Sequence, residues 1–130
     1  MRVLLAAVIA YGAASLLHHV HNAAFLDEYP NLPAWLTRAQ VYAAWLGVAT
    51  VGVLGWLLVR TRYVLAGLAV LASYAALGLY GLAHYAAAPL AAHTLTMNLS
   101  IGLEVAMALL LLGVVASQVV SRIRHAPRSA

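Results

Sequence analysis

Four long runs of apolar residues make up most of the chain, and each is separated from the next by a short segment that contains polar residues or proline. A helix needs roughly 20 residues to cross the hydrocarbon core of a bilayer. The pattern therefore predicts transmembrane helices over about residues 3–22, 41–59, 63–82 and 94–120. We expect a single all-α domain, an integral membrane four-helix bundle with short loops.

The segments between these runs predict how the helices are joined. Residues 60–62 read as a tight turn, and residues 84–93 as a loop broken by a proline. Residues 23–40 contain two prolines, which disfavour helix, so we expect a surface loop there. In that loop Trp35 is a candidate interfacial anchor, and Thr37 is a candidate cap for the second helix.

The composition excludes a soluble domain of this size. Hydrophobic residues make up 65% of the chain, charged residues 8%, and the mean hydropathy is +0.94. The lipid bilayer is therefore the expected partner. The net charge of +4 comes from scattered arginines rather than a basic stripe, so nucleic acid is not expected as a partner. The absence of cysteine excludes disulfides and thiolate chemistry.

The arginines also predict the orientation in the membrane. Arg2, the 60–62 turn and a basic tail at residues 121–130 fall on one side of an even-numbered bundle, and Arg38 is alone on the other. Cytoplasmic loops are enriched in Arg and Lys, so we expect both termini in the cytoplasm, with the protein in the cell (inner) membrane. Met1 and Arg2 before an apolar run also fit a signal peptide, but we expect a retained helix.

This orientation puts most of the histidines at the outer face. Only His125, in the tail, lies on the cytoplasmic side. Two acidic residues of the long loop lie at the same outer face as the other histidines. Those histidines are His18, His19, His21, His84 and His93.

Each predicted helix carries one line of mainly polar or aromatic residues. Positions separated by alternate steps of four and three share one helix face. We expect the four lines to turn inward and form a partly polar interior, with the remaining apolar faces toward lipid. The lines are Tyr11, Ser15, His18, Asn22; Arg38, Tyr42, Trp45, Ala49, Gly52; Ser73, Leu77, Tyr80, His84; and His93, Met97, Ser100, Glu104, Met107.

Glu104 is the acidic residue expected deepest in the bundle. At 1.5 Å per residue it lies roughly 16 Å from His93, near the middle of the bilayer. A charge there costs at least about 2.5 kcal/mol. We therefore expect Glu104 to be protonated, hydrogen-bonded or bound to a cation, and we name Glu104 and Tyr11 as candidate proton carriers. The plainer alternative is a neutral Glu104 that only ties helices together.

The outer histidines suggest a metal site. His18, His21, His84 and His93, with Glu28, offer imidazole and carboxylate ligands for Cu, Zn or Fe. The first hypothesis is thus an integral membrane metal-binding protein with its site at the outer mouth of the bundle. It could be a metal-dependent enzyme acting on a lipophilic substrate.

Four alternatives stay open at this point. Heme b would need facing imidazoles, for example from His18 or His19 and from His84 or His93. A small proton-coupled transporter or channel subunit would use Glu104 to exchange a proton for a cationic or metal cargo, and it would be expected to form a homo-oligomer. An accessory subunit would pack its polar face on a larger membrane complex. Finally, the histidines could be ordinary interfacial residues.

Overall fold

The predicted helices are present in the computed structural model, which describes residues 1–125 of the chain. The third helix is continued by a 3₁₀ turn over Leu79–Leu82 and by the short helix α4, so that one helical stretch covers Val64–Ala87. Four helices are long and apolar enough to cross a membrane. The α-helices are α1 (Arg2–Ala24), α2 (Arg38–Val59), α3 (Val64–Gly78), α4 (Ala83–Ala87) and α5 (Leu95–Arg124).

Two of the predicted boundaries are wrong. The loop expected from residue 84 begins only after Ala87, because the alanine-rich segment continues as helix until Pro89 prevents it. The residue before a proline is disfavoured in helical conformation, and Ala88 is extended, with φ −154° and ψ 151°. At the other end, α5 continues to Arg124, so that the first part of the predicted basic tail is helical. Arg128 lies outside the described residues.

The start of α2 confirms the predicted cap. The backbone N–H of Gln40 donates to the Thr37 hydroxyl at 3.3 Å, and the backbone N–H of Thr37 donates to Gln40 Oε1 at 2.8 Å. This reciprocal pair is a capping box, which satisfies two backbone donors that a helix otherwise leaves free at its first turn. Trp35, just before the cap, is 70% exposed.

The four long helices stand in a square. Helix α1 packs against α2 and α5, and α3 also packs against α2 and α5. We call the end where α1 finishes and α5 begins the histidine end, and the opposite end, which carries Arg2, Arg60 and Arg62, the arginine end. Because consecutive helices are joined at alternate ends, each helix runs antiparallel to its neighbours.

Glycines hold α2 and α3 together toward the arginine end. A Cβ atom on Gly67 would lie 2.5 Å from the backbone nitrogen of Val59 and 2.9 Å from the backbone oxygen of Gly55. A Cβ on Gly55 would lie 2.9 Å from the side chain of Leu71. Small residues allow such close backbone approach. Toward the histidine end α2 buries only Val41, so the two helices pack less closely there.

Two tyrosines fill the centre of the bundle. The rings of Tyr11 and Tyr74 meet edge to face with centroids 4.5 Å apart, and both side chains are buried. A Cβ on Gly78 would lie 2.5 Å from the Tyr11 ring, and one on Gly52 would lie 2.7 Å from the Tyr74 ring. These glycines therefore make the room that the tyrosines occupy. An apolar core lies on the arginine side of this pair, with Leu4, Leu68, Leu71, Ala108 and Leu111.

The inward lines predicted for the first and fourth long helices are confirmed for most of their residues. Asn22 and Met107 are half-buried. The buried members are Tyr11, Ser15 and His18 on α1, His93 just before α5, and Met97, Ser100 and Glu104 on α5.

The line predicted for the third helix is wrong at three of its four residues, and only the last of them, His84, is half-buried. Ser73 and Leu77 are exposed, and Tyr80 is 79% exposed. The inward positions come one residue later, at Tyr74 and Gly78, which corresponds to a rotation of about 100°. Close packing against the tyrosines selects the glycine face rather than the polar one.

The line predicted for α2 is also wrong at the histidine end. Arg38 is exposed and Tyr42 is 42% exposed. The buried positions of this helix are Val41, Gly52, Gly55 and Val59.

Candidate functional site

A polar group lies between α1 and α5 in the half of the bundle toward the histidine end. His18 from α1 and Glu104 from α5 are each 3% exposed, and their Nε2 and Oε2 atoms are 3.6 Å apart. Ser100 lies one turn of α5 closer to the histidine end. Both helices present these side chains because the residues follow the three-and-four spacing of a single face.

The hydrogen bonds of His18 define which ring nitrogen carries the proton. The Ser100 hydroxyl donates to the backbone oxygen of Met97 at 2.9 Å. Its oxygen therefore accepts the hydrogen bond from His18 Nδ1, at 3.3 Å. The Nε2 atom carries a lone pair, and it accepts from the Asn22 side-chain amide at 3.1 Å. The tautomer follows from the partners on either side of the ring.

This tautomer has a consequence for Glu104. An ionised carboxylate beside the Nε2 lone pair would bring two acceptors face to face in a buried place. We therefore infer that the Glu104 carboxyl carries a proton and that the pair is uncharged. Among residues 1–125, no Arg or Lys side chain forms an ion pair with Glu104. A buried charge without a partner is costly, so the proton stabilises the pair.

Asn22 connects this pair to a second histidine. Its side-chain nitrogen lies 3.1 Å from His18 Nε2 and 3.4 Å from His84 Nε2, so its two N–H groups point to two imidazole lone pairs. The Asn22 oxygen is buried and has no hydrogen-bond partner within residues 1–125. Two imidazoles and one carboxyl thus converge near one amide N–H₂ group.

These side chains form one wall of a cavity of about 330 Å³. That volume lies in the usual range for small-molecule sites, about 300–1,000 Å³. Gly81 is also in the wall, and a Cβ there would lie 3.2 Å from Glu104 Oε2, so this glycine leaves room for the carboxyl. The polar wall consists of Tyr11, His18, Asn22, His84 and Glu104. The aliphatic wall includes Val41, Ala44, Val48 and Leu77.

The long loop closes the cavity at the histidine end. Tyr29, 4% exposed, shares a 2.9 Å hydrogen bond with His21 Nδ1, and its ring lies 5.0 Å from that of His84. Asn31 adopts a left-handed φ of 59° and donates to the backbone oxygen of Ala87 at 2.9 Å. Asn is one of the few residues that tolerate this conformation. These contacts hold the loop across the helix ends.

The structure brings together only some of the predicted metal ligands, since the rings of His18 and His84 have centroids 5.4 Å apart and those of His84 and His93 have centroids 6.2 Å apart. Glu28 is exposed, His21 bonds to Tyr29, and His93 Nδ1 donates to the backbone oxygen of Pro89 at 3.1 Å. Only His18 and His84 of the predicted set meet at the Asn22 amide. In the part of the chain that the structure describes, no group of three or more His, Asp or Glu side chains has the geometry to hold a metal ion.

The distance between His18 and His84 does not suit this pair as heme ligands. The rings of His18 and His84 are in edge-to-face contact with centroids 5.4 Å apart, which leaves no gap for a porphyrin between them. His19 Nδ1 donates to the backbone oxygen of Ser15 at 2.8 Å, and the ring lines the cavity beside His18.

Sequence reasoning missed two residues of the site. Tyr29 lies in an irregular loop, where no periodicity indicates what a side chain faces. Gly81 offers no polar signal, although its spacing of three from Gly78 could have marked a small-residue face on the third helix. Tyr11, which was predicted as a proton carrier, lines the cavity, and its hydroxyl has no hydrogen-bond partner within residues 1–125.

Comparison with known proteins returns no match to a protein-family model, to a curated protein or to a solved structure.

Proposed function

We propose that this protein spans a membrane with both termini in the cytoplasm and acts as a small carrier that exchanges the proton of Glu104 for a positively charged cargo. The observation that carries the proposal is the Glu104 carboxyl, buried on the cavity wall beside His18 with no Arg or Lys paired to it in residues 1–125. The topology rests on the arginines. Arg2, Arg60 and Arg62 lie at the arginine end, with Arg122 and Arg124 at the end of α5.

Because the buried site is stable only when it is neutral, binding of the proton is coupled to binding of the cargo. With its proton the site is neutral, and with a monovalent cation beside an ionised Glu104 it is neutral again. The state with neither is a buried, unpaired carboxylate, which costs at least about 2.5 kcal/mol on insertion scales. Cargo binding therefore releases a proton, and proton binding releases the cargo.

The metalloprotein hypothesis has less support, because no three of its predicted ligands within residues 1–125 are arranged to hold a metal ion. It remains the alternative account, in which a metal ion would displace the Asn22 amide from between His18 and His84. The predicted homo-oligomer also remains open. A site that takes up one proton and one cation within a single bundle does not require an oligomer.

A chain of hydrogen-bonding groups connects Glu104 to the histidine end. His18 Nε2 faces Glu104, and His18 Nδ1 donates to Ser100. Tyr29, which bonds to the partly exposed His21, lies near enough to Ser100 for that hydroxyl to act on the pKa of Tyr29. Burial raises the pKa of Tyr29 above its usual value, so its phenol stays protonated at neutral pH. Each of these groups can accept one proton while it gives up another, so the chain offers the proton a route outward.

A Ser100→Ala variant tests this route. We expect it to slow proton release at least tenfold while leaving cargo affinity within about twofold, because it breaks the chain and leaves Glu104 in place. Stopped-flow recording with a pH-sensitive dye measures the rate. Ser117→Ala is the matched control, since Ser117 likewise donates to the carbonyl three residues earlier, at 2.7 Å, but is exposed. Equal rates in the two variants would remove Ser100 from the route.

The carrier function is tested in sealed vesicles that contain the purified protein and a trapped pH-sensitive dye. A panel of cations, namely Na⁺, K⁺, Zn²⁺ and hexylamine, is added outside an acidic interior. We expect at least one cation to drive a saturable loss of internal protons that exceeds the loss in empty vesicles, where hexylamine takes up protons after it crosses the bilayer as its neutral base. A protein that moves no protons with any of the four would contradict the proposal.

A further inference from the structure

The cavity has two chemically different parts. Most of its polar side chains are gathered around Glu104 and Asn22. The α2 side and the loop contribute Val41, Ala44 and Val48 together with leucines, and one polar residue, Gln40. An inorganic ion would use only the polar part. A volume of about 330 Å³ has room for a ligand with a body of its own.

The way into the cavity lies between α2 and α3. Ala44 on α2 and Leu77 and Tyr80 on the third helix line the cavity and are also exposed, Leu77 by 45% and Tyr80 by 79%. At the histidine end, Leu26 and Leu32 of the loop cover it. In the proposed topology, exposed residues at this depth face lipid, so a ligand would enter sideways from the bilayer.

The polar part is built to receive hydrogen-bond donors. His18 Nε2 and His84 Nε2 both accept from the Asn22 N–H₂ group, and the Glu104 carboxyl accepts once it is ionised. A primary ammonium group carries three N–H donors and one positive charge. Once the Asn22 N–H₂ group has turned away from the two imidazoles, an ammonium can therefore satisfy them and the carboxylate together, and the Asn22 oxygen, which is buried and has no partner within residues 1–125, offers a further acceptor. A quaternary ammonium has the same charge and no donor.

We propose that the cargo is an amphiphilic primary amine in its ammonium form, with its head group between Glu104, His18 and His84 and its apolar body against the α2 side of the cavity. This proposal rests on the exchange proposed above. Binding forms no covalent bond. The ammonium brings one positive charge into the site, and the proton of Glu104 leaves it. The site is therefore neutral both before the amine binds and after.

Three probes of similar length separate the contributions of charge and of hydrogen-bond donors. Hexylamine carries both at pH 7, because alkyl amines resemble lysine, with a pKa near 10.4. Hexyltrimethylammonium carries charge alone, and hexanol carries a hydroxyl without charge. Purified protein in detergent is titrated with each probe by calorimetry, in two buffers that differ in ionisation enthalpy. We expect hexylamine to bind with release of about one proton per protein and the other two to bind at least tenfold more weakly.

The outcomes distinguish the cargo class from the exchange itself. Proton release with Na⁺, K⁺ or Zn²⁺ but not with hexylamine would overturn the amine proposal and leave the exchange at Glu104 standing. Binding of hexyltrimethylammonium as tight as that of hexylamine would overturn the role of the N–H donors. No proton release with any cation would overturn both proposals.

The sideways entrance has its own test. We expect Ala44→Trp to weaken hexylamine binding at least tenfold, because the indole would occupy the space between α2 and α3. Ala43→Trp is the matched control, since Ala43 is equally exposed but does not line the cavity. Circular dichroism verifies that both variants fold. Equal affinity in the two variants would contradict entry between these helices.

Discussion

A Glu104→Gln variant is expected to release no more protons than empty vesicles do, with any cation that drives release from the wild-type protein. Glutamine has almost the same shape as a protonated glutamic acid, so the bundle should fold with little change in its packing. It can neither lose a proton nor carry the negative charge that balances a cation. We therefore expect cargo affinity to fall at least a hundredfold and proton exchange to stop.

Glu28→Gln is the matched control for this change. Glu28 is exposed on the long loop, and the substitution makes the same chemical replacement outside the cavity. We expect its proton exchange to equal that of the wild type. If Glu104→Gln still exchanged protons for cations at more than a tenth of the wild-type rate, Glu104 would not be the exchanging group.

The largest effect on stability is expected for Gly67→Ala. The new methyl group would lie 2.5 Å from the Val59 nitrogen and 2.9 Å from the Gly55 oxygen. Backbone atoms of a neighbouring helix cannot rotate away as a side chain can, so α2 and α3 must separate. Overpacking of this kind costs about 1–3 kcal/mol. Unfolding of the purified protein in detergent measures the free energy of unfolding.

Gly113→Ala provides the control for the change of residue type. No atom lies within 4 Å of a Cβ at Gly113, in the open part of α5. Alanine in a helix interior is favoured over glycine by about 0.5–1 kcal/mol, so this variant should be as stable as the wild type or more stable. A Gly67→Ala protein of wild-type stability would show that α2 and α3 are not held at this close distance.

The four helices could be predicted because membrane-crossing length and apolarity are local properties of the sequence. The inward faces of α1 and α5 could also be predicted. Burying Glu104 and His18 away from lipid is a strong requirement, and few rotations of the two helices meet it.

The faces of α2 and α3 follow from a different requirement. Gly55, Gly67 and Gly78 admit a neighbouring helix or ring at a distance that any side chain would prevent. In the proposed membrane topology Tyr80 can meanwhile face outward at little cost, because an aromatic side chain suits the membrane interface. Polarity alone therefore gave the wrong rotation for the third helix.

The metal ligand set was predicted from the number of histidines at one end. Which nitrogen faces which partner depends on the loop, where Tyr29 occupies His21, and on Pro89, whose carbonyl accepts from His93 Nδ1. These hydrogen bonds depend on the conformation of the loops. Loops have no periodic pattern in the sequence from which their conformation could be predicted. The meeting of His18 and His84 at Asn22 depends on the packing of three helices together.

The protonation state of Glu104 is the central claim, and infrared difference spectroscopy measures it most directly. The spectrum of the wild-type protein minus that of Glu104→Gln is recorded at pH 7, before and after saturation with the cation found to drive proton release. The account predicts the carbonyl stretch of a carboxylic acid before the cation is added and its replacement by carboxylate bands afterwards. Carboxylate bands from Glu104 in the absence of any cation would contradict it.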